Sequence, residues 1–318
     1  MPVRKLRFLA TADQAAKRLD DALAGWLPEI LARPVSRAKV RKLIMAGAVY
    51  WNGRPLRIAS KTLQPGAAIE VYVDLAKLFA DSTSRDKPFE LTPDRILFED
   101  EALIIIDKPP GIPLHPTADA ARDNLFAAVQ RFLSKRDGSA KPYLGIHQRL
   151  DRDTSGVILF TKSERVNAAV GRLFSEHQAV KIYQAITAPR IGSPKAWTVR
   201  NYIGKIASKS KRARYGSVKV GEAAETFFRV IKEYSSGLWV EAIPKTGRTH
   251  QIRVHLAEYG LPILGDDLYG ADSGPAPRLM LHAAELIFQH PVTGFKVSIK
   301  SPVPRDFEEC LKRMHGAK

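Results

Sequence analysis

The spacing of hydrophobic and polar positions divides the chain into a short N-terminal part with helices and a longer part that is rich in strands. Apolar residues recur at helical spacing over residues 15–27 and 36–46, which predicts two short amphipathic helices. Residues 47–53 have the pattern of a strand that runs into an Asn-Gly turn, and residues 68–74 have that of a second strand. We therefore expect residues 1–80 to form a small α+β module.

A polar segment separates this module from the rest of the chain. Residues 81–89 read Asp-Ser-Thr-Ser-Arg-Asp-Lys-Pro-Phe and lack hydrophobic periodicity, which is typical of a linker. We place the linker at 81–92 and a larger domain at 93–318.

Most of the larger domain has the pattern of strands. Strand patterns occur at residues 102–107, 156–161, 180–187, 224–232, 238–243, 281–288 and 296–300, and helical patterns at 124–135 and 164–177. Many strands with few helices favour an α+β fold, built on a mixed, largely antiparallel sheet with flanking helices, over a doubly wound parallel sheet.

The charge of the chain indicates a polyanionic partner, with nucleic acid ahead of an anionic membrane. Lys and Arg number 50 against 33 for Asp and Glu, a net charge of +17. Residues 1–80 carry 14 basic and 6 acidic side chains, and residues 177–221 carry ten basic and no acidic ones. Basic side chains in these two stretches are candidate phosphate contacts, although a charged run can also be a solvated surface. The candidates are Arg37, Lys39, Arg41, Lys42, Lys209, Lys211, Arg212 and Arg214.

Several classes of protein and site are excluded by what the sequence lacks. No apolar run approaches the roughly 20 residues of a membrane-spanning helix, and the apolar stretch at 6–10 is too short for a secretion signal. A single cysteine, Cys310, excludes a disulfide framework and a zinc site made of several cysteines, so we expect a cytoplasmic protein. The chain has no P-loop, no Gly-x-Gly-x-x-Gly after a strand and no His-Glu-x-x-His, and its histidines do not pair as metal ligands.

Two polar segments adjoin predicted strands and could carry chemistry. The first, His147-Gln-Arg-Leu-Asp-Arg-Asp-Thr-Ser-Gly156, leads directly into a hydrophobic strand, where a rigid scaffold could hold reactive groups. An ion-paired turn that caps the strand is an equal alternative. The second, residues 244–255, lies between a strand and a helical pattern and contains Arg248 and Arg253. It suits a phosphate or a carboxylate, or else it is a surface anion site without importance.

Five segments in order resemble the RluA-type RNA pseudouridine synthases. The Arg-Leu-Asp of residues 149–151, followed by Arg-Asp-Thr-Ser-Gly, is similar to the family signature, in which the Asp is catalytic. The other four are Lys108-Pro-Pro-Gly, Lys181-Ile-Tyr-Gln-Ala, Gly247-Arg-Thr-His-Gln-Ile-Arg with its continuation to Tyr269, and Leu281-His-Ala with the later His-Pro and Ser-Pro-Val-Pro. One departure is Gln148, because the family usually joins His directly to Arg. Residues 1–75 are similar to the RNA-binding module of ribosomal small-subunit protein four.

The resemblance implies a pseudouridine synthase fold, a uridine-isomerising activity and a set of site residues. Asp151 would be the nucleophile or base, Arg253 would form an ion pair with it, Tyr183 would stack on the target base, and Arg149 would enter the space left by a flipped nucleotide. Candidate substrate contacts are Arg248, His250, Thr154 and Lys108. No cofactor or metal is required, since the reaction has no redox change. The other Arg-Leu-Asp, at residues 18–20, is expected to be structural.

The resemblance also sets expectations about partners and leaves alternatives open. We expect RNA as the substrate, with large-subunit ribosomal RNA favoured over transfer RNA, no membrane association and a monomeric protein. Whether the carboxylate attacks the anomeric carbon, removes a ribose proton or adds to the base stays open. A non-catalytic RNA-binding or ribosome-assembly factor would explain the charge, and a glycosidase-like hydrolase could use Asp151 and Asp153 as its pair of carboxylates.

Overall fold

The computed structural model describes residues 4–11, 16–75, 78, 88–115, 123–190, 192–207, 213–270 and 276–316. Among these, the residues before 88 form one compact unit and those from 88 onward form a second. Three of the candidate RNA contacts, Lys209, Lys211 and Arg212, and residues 81–87 of the predicted linker lie outside the described ranges. No helix within these ranges is long and apolar enough to cross a membrane.

The first unit packs two helices against a small antiparallel sheet. Its elements are β1 (Arg4–Leu9), α1 (Leu19–Leu31), α2 (Arg37–Met45), β2 (Val49–Trp51), β3 (Arg54–Pro55) and β4 (Ala68–Val73). The strand order is β1-β4-β2-β3. Leu23 of α1 and Ile44 of α2 share one buried cluster with Ile69 and Val71 of β4. The hydroxyl of Ser36 accepts a hydrogen bond from the backbone N–H of Lys39 and so caps the start of α2.

Helix α1 begins four residues later than the hydrophobic spacing predicts. Ala16 has a φ of 67°, in the left-handed region. The backbone N–H groups of Ala16 and Leu19 donate to the carbonyls of Leu63 and Lys61. Pairing with this neighbouring segment satisfies the backbone groups that a longer helix would have used, so the helix starts only at Leu19.

Asp20, which the sequence predicts to be structural, is a buried anion surrounded by arginines. Its carboxylate lies 3.0 Å from Nε of Arg18, 2.6 Å from Nε of Arg41 and 3.5 Å from Nε of Arg37. Burial favours the neutral acid, but the hydrogen bonds from Arg18 and Arg41 outweigh it and hold the pKa of Asp20 well below its usual range. Two candidate RNA contacts, Arg37 and Arg41, are therefore held by this carboxylate while their side chains stay about half exposed.

The second unit contains one large sheet with helices on its faces. Its elements are β5 (Ile96–Glu99), β6 (Leu103–Lys108), α3 (Leu125–Asp137), β7 (Gly145–Ile146), β8 (Ser155–Thr161), α4 (Asn167–Ser175), β9 (Val180–Thr187), β10 (Ala196–Ile206), β11 (Arg214–Ser217), β12 (Glu222–Tyr234), β13 (Gly237–Pro244), α5 (Gln251–Glu258), β14 (Leu281–Gln289), β15 (Lys296–Lys300) and α6 (Arg305–Gly316). The predicted helix at 164–177 is divided into a 3-10 turn, Glu164–Val166, and α4.

The sheet is mixed and largely antiparallel. Its strand order is β11-β10-β12-β13-β9-β14-β8-β6-β5, with β15 paired to β14 and β7 paired to β8. Among the described strand pairs, β8 and β14 form the single parallel one. The prediction of an α+β fold around such a sheet is confirmed.

Strand β8 supports the polar loop that precedes it, because every one of its residues is buried. Val157 and Leu159 face a cluster that includes residues of α4, whereas Ile158 and Phe160 face a cluster that includes residues of α3. Burial on both faces explains the unbroken apolar run in this strand.

Gly156 allows the close approach of β8 and β14. Its φ is 114°, and a Cβ placed on it would lie 2.1 Å from the carbonyl oxygen of Ala283. Only glycine fits this contact without moving the backbone. The loop that ends at Gly156 is thereby fixed beside β14.

Candidate active site

A cavity of about 510 Å³ in the second unit collects most of the predicted site residues. It lies between the loop before β8, strand β9 and the turn that joins β13 to α5. Seven of the predicted residues line it, namely Arg149, Asp151, Thr154, Tyr183, Arg248, His250 and Arg253.

The centre of the cavity wall is an arginine held between two carboxylates. Nη1 of Arg253 lies 2.8 Å from Oδ2 of Asp151, so the expected ion pair is present. On its other side, Nε and Nη2 of Arg253 each donate to Asp266 over 2.8 Å. The two-point contact with Asp266 fixes the plane of the guanidinium and leaves Nη1 directed at Asp151.

Burial differs sharply among these three groups. The side chain of Asp266 is 0% exposed and that of Arg253 is 9% exposed, whereas that of Asp151 is 28% exposed. Burial alone would lower the pKa of Arg253, but the two carboxylates outweigh it and raise the pKa. Burial likewise opposes ionisation of Asp266, and Arg253 nevertheless lowers its pKa. Of the two carboxylates that hold Arg253, Asp151 is therefore the one that a ligand in the cavity can reach.

Asp266 was not predicted from the sequence, although it lies in the segment from Gly247 to Tyr269 that resembles the family. Its Oδ1 also accepts hydrogen bonds from the backbone N–H groups of Leu268 and Tyr269. Gly265 has a φ of 75°, and a Cβ there would lie 1.7 Å from the carbonyl oxygen of Arg278. This tight backbone turn brings Asp266 beneath Arg253.

Lys108 lies under the Asp151 loop and not in the cavity. Its ammonium donates to the carbonyls of Pro109, Arg152 and Thr154 over 3.0, 2.7 and 2.8 Å. The side chain is fully buried, and burial lowers the pKa of Lys108 to about 7. The expectation that Lys108 contacts substrate is therefore corrected, since this side chain bridges the loop to the end of β6.

Tyr183 and Arg149 differ in burial, since Tyr183 is half-buried and Arg149 is exposed. Tyr183, on β9, is half-buried, and burial together with the charge of Asp151 raises the pKa of its hydroxyl. It stays neutral and offers an aromatic surface to the cavity. Arg149 is exposed at the cavity edge, two residues before Asp151.

His250 connects Asp151 to two tyrosines. Its Nδ1 lies 2.9 Å from the hydroxyl of Tyr269, which accepts a hydrogen bond from the backbone N–H of Tyr215. Its Nε2 lies 3.9 Å from Oδ2 of Asp151. Burial lowers the pKa of His250, which favours the neutral ring. Donation from the Tyr269 hydroxyl to Nδ1 would place the ring proton on Nε2, the nitrogen nearer Asp151.

The Tyr269 ring links the triad to a predicted RNA contact. The guanidinium carbon of Arg253 lies 5.1 Å from the centre of this ring, and that of Arg214 lies 5.5 Å from it. Arg214 is thus the candidate RNA contact that the structure places beside the site. Arg37, Lys39, Arg41 and Lys42 belong to α2 of the first unit.

The turn between β13 and α5 is fixed by Gln251. Its side-chain oxygen accepts from the Thr246 hydroxyl and from the backbone N–H of Arg248, while its amide nitrogen donates to the Glu225 carbonyl and to Thr226. Arg248 itself donates to Glu222 over 2.8 Å.

The segment before Asp151 is anchored through His147. Its Nε2 lies 3.3 Å from the Thr161 hydroxyl and 3.2 Å from Oδ1 of Asn167. This gives His147 a structural contact, and Gln148 next to it lines the cavity. Within the described ranges, no group of three or more His, Cys, Asp or Glu side chains could hold a metal ion.

Comparison with known proteins gives consistent matches over both units. A family model described as RNA pseudouridylate synthase matches residues 102–258, and one described as S4 domain matches residues 26–69. An uncharacterised RNA pseudouridine synthase of Synechocystis sp. is 35% identical, covering 96% of this chain and 92% of its own. Ribosomal large subunit pseudouridine synthase D of Zymomonas mobilis is 30% identical, covering 99% and 98%. The solved structure of human RNA pseudouridylate synthase domain containing 4 is 28% identical with a TM-score of 0.57, covering 70% of this chain and 93% of that one.

Proposed function

Because the chain belongs to the RNA pseudouridine synthase family and contains an S4 domain, we propose that it isomerises uridine in large-subunit ribosomal RNA through Asp151. The observation that carries the assignment of Asp151 is its partly exposed carboxylate, held 2.8 Å from the buried Arg253 in the wall of the cavity. Several of the relatives are named as ribosomal large subunit pseudouridine synthases, which supports that RNA as the substrate.

The reaction requires one well-placed carboxylate. The bond between N1 of uracil and C1′ of ribose breaks, the uracil turns, and C5 bonds to C1′; N1 ends with the proton and C5 loses its own. A carboxylate can start this by attacking C1′, by removing the C2′ proton or by adding to C6 of the base. All three routes need an anionic oxygen that substrate can reach, which is the property that distinguishes Asp151 from Asp266.

Arg253 supports each route by compensating the charge of Asp151 and fixing one of its oxygens. Because Asp266 holds the guanidinium from behind, little reorganisation is needed when substrate binds. We assign Tyr183 to stacking on the flipped uracil and Arg149 to the space that the nucleotide leaves, since one lines the cavity and the other stands exposed at its edge.

The hydrolase alternative lacks a second carboxylate in the right place. Among the described residues that line the cavity, Asp151 is the one acidic side chain. Asp153 forms a two-point ion pair with Arg152, over 2.8 Å at each oxygen, and does not line the cavity. A paired-carboxylate mechanism is therefore not favoured by this geometry.

Asp151→Asn tests the assignment directly. Pseudouridine should be mapped in ribosomal RNA from cells that lack the gene and from cells that carry the wild type, Asp151→Asn or the matched control Asp153→Asn. We expect one or more pseudouridines with the wild type and with Asp153→Asn, and none with Asp151→Asn, since the amide is neither a nucleophile nor a base. Modification by Asp151→Asn would refute the catalytic role. Abasic sites would indicate a hydrolase, and unchanged RNA in all strains would indicate a non-catalytic binding protein.

A further inference from the structure

Lys181 is a cation in the cavity wall for which the described structure offers little compensation. It lies on β9, two residues before Tyr183, and its side chain is half-buried. In the described part of the chain its ammonium makes one long hydrogen bond, 3.4 Å to the carbonyl of Thr246, and no carboxylate lies within 4.0 Å of it. An ammonium has three hydrogens to donate, so the described residues use little of this capacity, and the side chain lines the cavity.

Two other basic residues of the second unit show how a cation is compensated by its partners in this protein. Lys108 donates to three carbonyls within 3.0 Å, and Arg248 pairs with Glu222. Among the described residues Lys181 has neither arrangement, although its side chain is half-buried and lies near the charge of Arg248. A partly buried charge is costly without a partner, and an anion in the cavity would remove that cost.

The backbone beside Lys181 is open to a ligand. The ammonium nitrogen of Lys181 would lie 3.8 Å from a Cβ placed on Gly247, so it is next to the turn between β13 and α5. At Gly247 this turn has no side chain. No side chain of Gly247 stands between the ammonium and a ligand approaching along the turn. The same turn carries Arg248 and His250, which also line the cavity.

We propose that Lys181 binds an RNA phosphate that flanks the flipped uridine, and so positions the nucleotide against Asp151. The inference rests on the proposed function, because the ligand is taken to be RNA. A phosphate suits the site better than a uracil carbonyl, since the ammonium has no counter-charge among the described residues and the phosphodiester is the anionic group of a nucleotide. The phosphate does not react, so its contact with Lys181 exists both before and during the chemical step.

The first test measures the charge of the contact. Binding of oligouridylate to the full chain carrying Asp151→Asn, which should prevent turnover, is titrated over a range of salt concentrations. Adding Lys181→Met keeps most of the aliphatic stem and removes the charge. We expect binding about tenfold weaker and a slope of log affinity against log salt that is shallower by about 0.7, the value for one phosphate of a single strand. Lys181→Arg should stay within about threefold of the lysine protein and keep its slope.

Lys296→Met is the matched control, because Lys296 is an exposed lysine of β15 that does not line the cavity. It removes the same charge from the chain and should leave affinity and slope unchanged. An equal loss in Lys181→Met and Lys296→Met would refute the proposal in favour of a general charge effect. An unchanged slope in Lys181→Met, or the same weakening in Lys181→Met and Lys181→Arg, would refute it in favour of a packing role.

A second measurement separates positioning from chemistry in the protein that retains Asp151. On an RNA fragment that spans the mapped uridine, Lys181→Met should raise KM about tenfold and leave kcat within about threefold. A fall in kcat with unchanged KM would refute the phosphate contact. If the wild type forms no pseudouridine in any RNA, the proposed function fails, whereas the salt slope with oligouridylate still decides whether Lys181 binds phosphate.

Discussion

Asp266→Asn is the most informative single change, because it removes one charge and almost no volume from behind Arg253. Asn keeps a carbonyl oxygen that can accept from the backbone N–H groups of Leu268 and Tyr269. Its amide nitrogen, however, cannot accept from Arg253, so the two-point contact is lost. Arg253 is then a buried cation whose remaining carboxylate partner is Asp151.

The expected loss of stability follows from two separate considerations. Removing one partner of a buried ion pair typically costs about 3–5 kcal/mol. Hydrogen bonds to charged groups contribute about 1.5–3 kcal/mol each, and at least one of the two is lost outright. We therefore expect the free energy of unfolding in urea at pH 7 to fall by about 3–5 kcal/mol. Asp267→Asn, which removes an exposed charge near Arg152, should change it by less than about 1 kcal/mol.

The difference in free energy of unfolding between the wild type and Asp266→Asn should become smaller at low pH. Arg253 holds the pKa of Asp266 below that of the unfolded chain, which is about 3.9. The stabilisation is therefore fully present above about pH 5 and is lost as the pH falls through the folded pKa. The gap between wild type and Asp266→Asn should be equal at pH 7 and pH 5 and smaller at pH 3.5.

Activity should fall as well, because the guanidinium is no longer fixed in direction. Misplacement of a reacting group by about 1 Å can cost roughly 100-fold in rate, so we expect kcat to fall by about 10- to 100-fold at a temperature where the variant is folded. A destabilisation below about 1 kcal/mol, or kcat equal to that of the wild type, would refute the view that Asp266 positions Arg253.

Three further changes test other parts of the second unit. Gly156→Ala should cost more than about 3 kcal/mol and yield little soluble protein, because its Cβ would meet the Ala283 carbonyl at 2.1 Å; a Tm within about 2 °C of wild type would contradict this. Arg253→Leu should lower kcat at least about 100-fold, and it leaves Asp266 as a buried anion without its arginine. Unchanged turnover would refute a role of the ion pair in the reaction. Burial lowers the pKa of His282 to about 4, whereas the unfolded imidazole gains its proton near pH 6.5. His282 should therefore lower the free energy of unfolding by about 2 kcal/mol when the pH falls from 7 to 5. Urea unfolding at both pH values should show a smaller loss for His282→Gln.

The strands near the site could be predicted because burial on both faces leaves an unambiguous pattern. Residues 156–161 are apolar almost throughout, and β8 begins one residue earlier. Strands β1 and β10 were not predicted. Three of the six residues of β1 are basic, and along β10 only Ile203 is buried, so neither has a continuous hydrophobic face. The helix α6 was also missed, although its buried residues Phe307, Cys310 and Met314 have helical spacing.

The ion pair between Asp151 and Arg253 could be predicted from the sequence, whereas the residues that support it could not. Asp151 and Arg253 stand in segments that resemble a known signature, and the ion pair between them is present. Whether Asp266 or Asp267 turns inward depends on the backbone turn at Gly265, which the order of residues does not reveal. The burial of Lys108 likewise depends on carbonyls from residues 109, 152 and 154, which only the folded sheet brings together.

The supports of the Asp151 loop come from distant parts of the chain. Lys108 is 44 positions before the Arg152 carbonyl that it contacts, Arg253 is 102 positions after Asp151, and Arg278 is 125 positions after the Asp153 carbonyl that it approaches. Contacts over such separations form late, since long loops must close first. During synthesis from the N-terminus, Asp151 leaves the ribosome well before the two arginines that hold its loop. The contacts that hold the Asp151 loop therefore cannot be complete before residue 278 has been synthesised, and a product that stops before this residue would carry Asp151 without the support of Arg278.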